Sequence, residues 1–280
     1  MLLSSSFKPE HINATLDDLK GNYDIGRYIL LPGSNGRAKK IASYFDNVSE
    51  KRHPRGHHLY LGTLNCEGKS IDVATVATGM GCPSTEIILH ELFHLGAKRF
   101  LRIGTAGSMQ SPRIKEGDLI NATAAVRDEG TTRDYVPIEF PAIASLEFAS
   151  SILLAADKLD LADRLYTGIV HCKDSLYAKE FGAGPRQTEN TAYVNQLAKA
   201  GVLASEMETA TLFIQSHLYN AELMNTNDTT PHRVLAGAIL TIINDGHQFN
   251  TTTNHLPAIK RSIELGIESI KTLAIQELFA

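Results

Sequence analysis

Cysteine is scarce in this chain. The three present, Cys66, Cys82 and Cys172, are too scattered for a disulfide framework, and no pair has metal-ligand spacing. A reducing, cytoplasmic setting is the expectation. Apolar runs of membrane-spanning length, roughly 18 residues, are lacking, and the opening segment MLLSSSFKPEHINATL has no basic start leading into an apolar stretch. Neither export nor a membrane partner is expected. Excess positive charge is missing as well: a formal net charge of -4 creates no field to draw in a polyanion, which sets nucleic acid aside as a partner. Internal repeats and low-complexity tracts do not occur.

What is present fits a globular chain with one sizeable core: 43% of the 280 residues are hydrophobic and 21% charged. Apolar runs rich in β-branched residues at 28–31, 71–78, 100–104, 119–126, 166–171 and 234–243 read as strands. Helical apolar spacing covers 37–45, 84–95, 144–159, 188–200, 208–218 and 259–279. The alternation predicts a single α/β domain over 1–280, a three-layer sandwich whose mixed central β-sheet is flanked by helices. The stretches 179–189 and 221–232 read as surface loops. In open α/β sheets ligands sit beyond the carboxyl ends of strands, so the chemistry is sought just after each strand.

Four segments stand at such places. Pro32-Gly33-Ser34-Asn35-Gly36-Arg37 runs from a strand through a turn to a helix start, where turn N–H groups and a guanidinium make an anion cradle; a plain turn with a solvated Arg is the alternative. In Leu101-Arg102-Ile103-Gly104-Thr105-Ala106-Gly107, an Arg interrupts an apolar strand pattern. Buried there, it must find an anion, either a structural carboxylate or a ligand phosphate. Ser205-Glu206-Met207-Glu208 places two carboxylates at the junction of a short apolar run with a helix. They suit a ribose diol, or simply the positive end of the helix dipole. Asn244-Asp245-Gly246 ends the last apolar strand. Asp245 fits a general acid for a leaving base if it keeps a proton, and a chain-reversing turn otherwise.

Together these segments resemble the bacterial-type nucleoside phosphorylase family, which includes uridine phosphorylases and hexameric purine nucleoside phosphorylases. The resemblance spans about 11–246, and its most specific pieces are the run Thr78-Gly79-Met80-Gly81-Cys82-Pro83-Ser84-Thr85, the run 101–107 and Glu206-Met207-Glu208. It implies that phosphate is held by Gly33, Arg37, Arg102 and Thr105, with Arg55 reaching in from a neighbouring subunit. It implies further that Glu208 takes the ribose hydroxyls, that Met207 packs on the sugar, and that His11 arrives from the neighbour. A homodimer, or a ring of such dimers, is then the expected assembly. No metal or other cofactor is expected, because inorganic phosphate is itself the co-substrate and both stabilises and attacks the ribosyl cation.

The implied reaction is phosphate-dependent cleavage of a ribonucleoside to free base and ribose 1-phosphate, with Arg102 and Asp245 as catalytic residues. For the base, the runs 126–130 and 137–142 resemble the uridine branch, whereas 11–14, 37–42 and Asp245 resemble the purine branch. Uridine is favoured on the longer continuous stretch. Expected base contacts are Arg186, Gln187, Glu206 and Asn244; the Gln and Arg positions of uridine phosphorylases fall here on Glu180 and Gly182, and the usual stacking aromatic is Leu176. A purine nucleoside phosphorylase is the alternative, followed by a hydrolytic nucleosidase, which would not need Arg37, Arg55 and Arg102, and by a non-catalytic nucleoside-binding protein.

Overall fold

The computed structural model of the protein describes residues 7–225, 233–245 and 255–279. In chain order the elements are α1 (Leu16–Leu19), β1 (Tyr28–Pro32), α2 (Asn35–Ala42), β2 (Asp46–Lys51), β3 (Leu59–Cys66), β4 (Lys69–Val76), α3 (Cys82–His94), β5 (Arg99–Ser108) and β6 (Leu119–Asp128). There follow β7 (Ala142–Ile143), α4 (Leu146–Lys158), β8 (Leu165–Lys173), α5 (Leu176–Glu180), α6 (Gln187–Lys199), β9 (Ala204–Glu206), α7 (Thr209–Asn225), β10 (Leu235–Asn244) and α8 (Leu256–Ala274).

The strands form one mixed sheet. β1 runs parallel to β4 and β5, and β5 is parallel to β10, while β6 is antiparallel to β10 and parallel to β8. The three-residue β9 bridges β8 and β5, so β5, β10, β6, β8 and β9 close into a ring. From that ring β1, β4, β3 and β2 extend as an open wing. Helices cover both faces: α3 and α7 pack over one, around Leu92, Phe93, Leu212 and Phe213, while α2, α4 and α8 pack over the other, around Ile41, Phe148, Ile152 and Ile263. This is the mixed, helix-flanked sheet that the alternation of apolar runs predicts.

All six expected strands form, with one or both ends moved by a few residues. Four more, β2, β3 and the short β7 and β9, were not read as strands from the sequence. β2 is exposed along most of its length and so has no apolar alternation to betray it. The expected loop 179–189 is shortened from both sides, because α5 runs to Glu180 and α6 starts at Gln187. Of the expected loop 221–232, residues 221–225 continue α7, and the remainder lies outside the described residues.

Candidate active site

Ring closure sets the carboxyl ends of β5, β8 and β10 and the short β9 side by side, and β1 ends next to β5. The turn after β1 places Ser34 as the N-cap of α2, its side chain accepting the Arg37 N–H, so that Arg37 sits in the first turn of the helix. Arg37 and Gly33 line one cavity together with Arg102, Thr105, Glu206, Met207, Glu208 and Asn244. Eight of the sequence-expected site residues thus meet at one place.

Arg102 lies at its centre. Its side chain is only 5% exposed, its Nε donates to Glu206 Oε2 at 3.2 Å, and its Nη2 donates to Glu208 Oε2. The buried Arg therefore has structural carboxylates, one of the two alternatives the sequence leaves open. They do not exhaust it: Nη1 is buried without a partner among the described residues. Gly104 allows the guanidinium to fold back over its own strand, since a Cβ there would lie 2.8 Å from Arg102 Nη2.

The two carboxylates differ in their surroundings. Glu206 accepts the backbone N–H groups of Glu208 at 2.9 Å and of Thr209 at 2.9 and 3.0 Å, at the entry to α7. Burial works against its charge, but Arg102 and these N–H donors outweigh burial and hold it below the ordinary carboxylate range. Glu206, which was expected to contact a base, lines the cavity with its oxygens engaged by Arg102 and the helix entry. Glu208 is pushed up by burial and by the charge of Glu206, against the pull of Arg102. It also accepts the Gly81 N–H at 2.7 Å. Gly79 and Gly81 both adopt positive φ, at 80° and 83°, which turns the chain between β4 and α3 so that this N–H points at Glu208.

Arg37 donates to the Ile103 carbonyl at 3.2 Å. Burial, and secondly the like charge of Arg102, lower its pKa to about 10. A buried and a half-buried guanidinium facing one cavity, the buried one with an unused N–H group, form a place that an anion would stabilise.

A second cavity adjoins the first, and Gly107, Glu180, Ser205 and Asn244 line both. Asp245 lines the second one, where its Oδ2 accepts the Glu116 N–H at 3.3 Å. Arg186 and Gln187 line neither cavity: they begin the exposed α6, and Gln187 packs against Gly182. Lys173 and Glu180 do reach the first cavity: Glu180 stands at the position that the resemblance gives to a Gln of uridine phosphorylases, whereas Lys173 was not foreseen, because the strand reading at 166–171 stops short of it. Arg55 and His11 stand outside the cavities of their own chain. Arg55 is exposed beside the Gly56 turn, and the His11 ring bonds Glu91 of α3 at 2.7 Å. The run 126–130 is structural in part, for Arg127 is clasped by the carbonyls of Thr132, Val136, Pro137, Ile138 and Phe140.

The chain matches the phosphorylase superfamily over residues 27–264. It belongs to that family. It is 35% identical over 259 residues to a uridine phosphorylase from Treponema pallidum, covering 91% of this chain and 92% of that protein. A uridine phosphorylase from Thermococcus kodakarensis is 38% identical over 201 residues, with 70% of this chain and 69% of the relative covered. A guanosine phosphorylase from Halorubrum lacusprofundi is 30% identical, with coverages of 68% and 72%. Among solved structures, uridine phosphorylase from Vibrio fischeri ES114 superposes with a TM-score of 0.75 at 26% identity, covering 97% of this chain and 98% of the other. Among the described residues, no helix is long and apolar enough to cross a membrane.

Proposed function

We propose that this protein is a nucleoside phosphorylase, a pentosyltransferase that cleaves a ribonucleoside with inorganic phosphate to free base and ribose 1-phosphate, uridine being the favoured substrate. The observation that carries the reading is the partnerless Arg102 Nη1 in a cavity shared with Arg37, Thr105 and Gly33. Phosphate bound there bridges the two guanidiniums and relieves their repulsion. Glu208 takes the ribose hydroxyls, Met207 lies against the sugar, and a phosphate oxygen attacks the anomeric carbon. The electron pair of the broken C–N bond passes to the base, which takes up a proton. No metal or organic cofactor enters this scheme. Arg55 and His11 come from a second copy of the chain, in a dimer or a ring of dimers, and the buried free thiols of Cys66, Cys82 and Cys172 suit a cytoplasmic protein.

Uridine is supported by the two uridine phosphorylases of highest identity named above. A purine nucleoside phosphorylase is the second reading, favoured by Asp245 at the adjoining cavity and by the guanosine phosphorylase relative. The deciding experiment is a nucleoside panel assayed for free base with and without phosphate. Base and ribose 1-phosphate form only with phosphate on this reading. Equal base release in both buffers points to a nucleosidase, and none in either to a binding protein.

A further inference from the structure

The roles assigned to phosphate and ribose leave one buried cation of the first cavity unused. Lys173, the last residue of β8, is 1% exposed and lines the same cavity as Arg102 and Glu208. Its Nζ donates to Glu180 Oε1 at 2.5 Å and to Ser205 Oγ at 2.8 Å. An ammonium has three N–H groups, so one remains beyond its partners among the described residues. Both partners of Lys173 also line the second cavity, which Gly33, Arg37, Arg102 and Glu208 do not. The Lys173 ammonium therefore sits at the junction, on the side of the first cavity away from the phosphate cradle.

The ammonium is held from behind. Ser205 Oγ lies 3.0 Å from His171 Nδ1, His171 Nε2 lies 2.9 Å from Asp128 Oδ2, and Lys179 Nζ lies 2.8 Å from that same oxygen. This chain of contacts crosses from β6 through β8 to β9 and ties in α5, so the position of Lys173 is fixed by four elements. A buried, pre-oriented donor of this kind resembles the groups that carry developing negative charge in acyl-transfer sites.

Resting on the phosphorylase reading, we propose that Lys173 is a catalytic residue that stabilises the departing base, with Ser205, Glu180, His171 and Asp128 as its positioning residues. As the bond from the anomeric carbon to the base nitrogen breaks, its electron pair enters the base ring and negative charge grows on the ring carbonyl oxygen. The third N–H of Lys173 donates to that oxygen. No proton need leave the ammonium at this step, and the base anion takes its proton from water afterwards. Glu180 keeps the ammonium at the junction but does not cancel its directed N–H.

The test is leaving-group dependence. Phosphorolysis of uridine, 5-fluorouridine and 5-nitrouridine, whose bases are progressively more stable as anions, is measured for the parent, Lys173→Met and Lys173→Met with Glu180→Leu. The double variant leaves no stranded carboxylate if the single one folds poorly. For uridine, kcat/KM falls about 100-fold or more, the scale of losing one pre-oriented donor. For 5-nitrouridine the loss is at least about tenfold smaller, because less charge needs help, and Ser205→Ala gives an intermediate slope. A purely structural Lys173 would lower all three substrates by one factor. Parallel slopes in an active parent overturn this inference alone. A parent that releases no base from any nucleoside in phosphate overturns the functional reading, and this inference with it. If the parent acts on purine nucleosides, inosine and N7-methylinosine make the same comparison, the methylated base leaving without negative charge.

Discussion

Removing Arg102 separates the two jobs that the proposed function gives it. Its side chain pairs with Glu206 and Glu208, whose side chains are 0% and 8% exposed. Arg102→Met keeps the length and apolar stem but leaves two carboxylates facing each other with no cation between them. Breaking a buried pair in this way costs about 3–5 kcal/mol. Adding Glu208→Gln removes one of the stranded charges, while the amide oxygen can still accept the Gly81 N–H. At least about 1 kcal/mol of stability should then return. Catalysis should not return with it, because the Nη1 donor for phosphate is gone. Loss of one such contact in a dry site is about 3 kcal/mol of transition-state stabilisation, or about 150-fold in kcat/KM. Urea unfolding of the parent, the two single variants and the double variant gives the stability cycle, and ribose 1-phosphate formation gives the kinetic one. Recovery of stability without recovery of turnover is the expected pattern. An Arg102→Met protein within about threefold of parental kcat/KM would show that its guanidinium serves the carboxylates only.

Glu208 is raised above its ordinary value of 4.5, so on acidification it takes up its proton at a pH where an unperturbed glutamate stays charged. The kcat/KM ratio of a ribonucleoside to its 2′-deoxy analogue should therefore fall as the pH drops, beginning above 4.5, since phosphate ionisation affects both substrates alike. A ratio that stays flat down to that pH would remove Glu208 from the diol. Asp245→Asn should change uridine cleavage little, whereas turnover of inosine or guanosine should drop about 100-fold if Asp245 protonates a purine ring; an equal loss on both bases would mark Asp245 as a support for the 116 backbone rather than an acid.

The side of the cavity around Arg102 and Glu208 was legible in the sequence because its residues break local rules. Arg102 interrupts an apolar strand, two glycines bracket Met80, and two acids stand where a strand run gives way to a helix. Each anomaly has its structural counterpart in a buried ion pair, a positive-φ turn and a helix entry. The base side was less legible for two physical reasons. Arg186 and Gln187 have suitable chemistry, but the start of α6 carries them outward, and a loop's path is not encoded in its residue types. Lys173 breaks the apolar pattern of β8 as Arg102 does that of β5, but at the strand's last position a charge is ordinary. Only the closure of the sheet, set by non-local pairing of β5 with β9 and β10, turns that strand end inward.

That closure also divides labour among the strands. The anion cradle hangs on β1 and β5, whereas Lys173 and Glu180 belong to β8 and the single helical turn of α5. The groups at the junction and those of the anion cradle thus stand on different strands, so a substitution at 173 or 180 leaves the supports of Gly33, Arg37 and Arg102 in place. On the proposed reading, base preference and phosphate grip can then change separately, the first at residues 173–180 and Asp245, the second on β1 and β5.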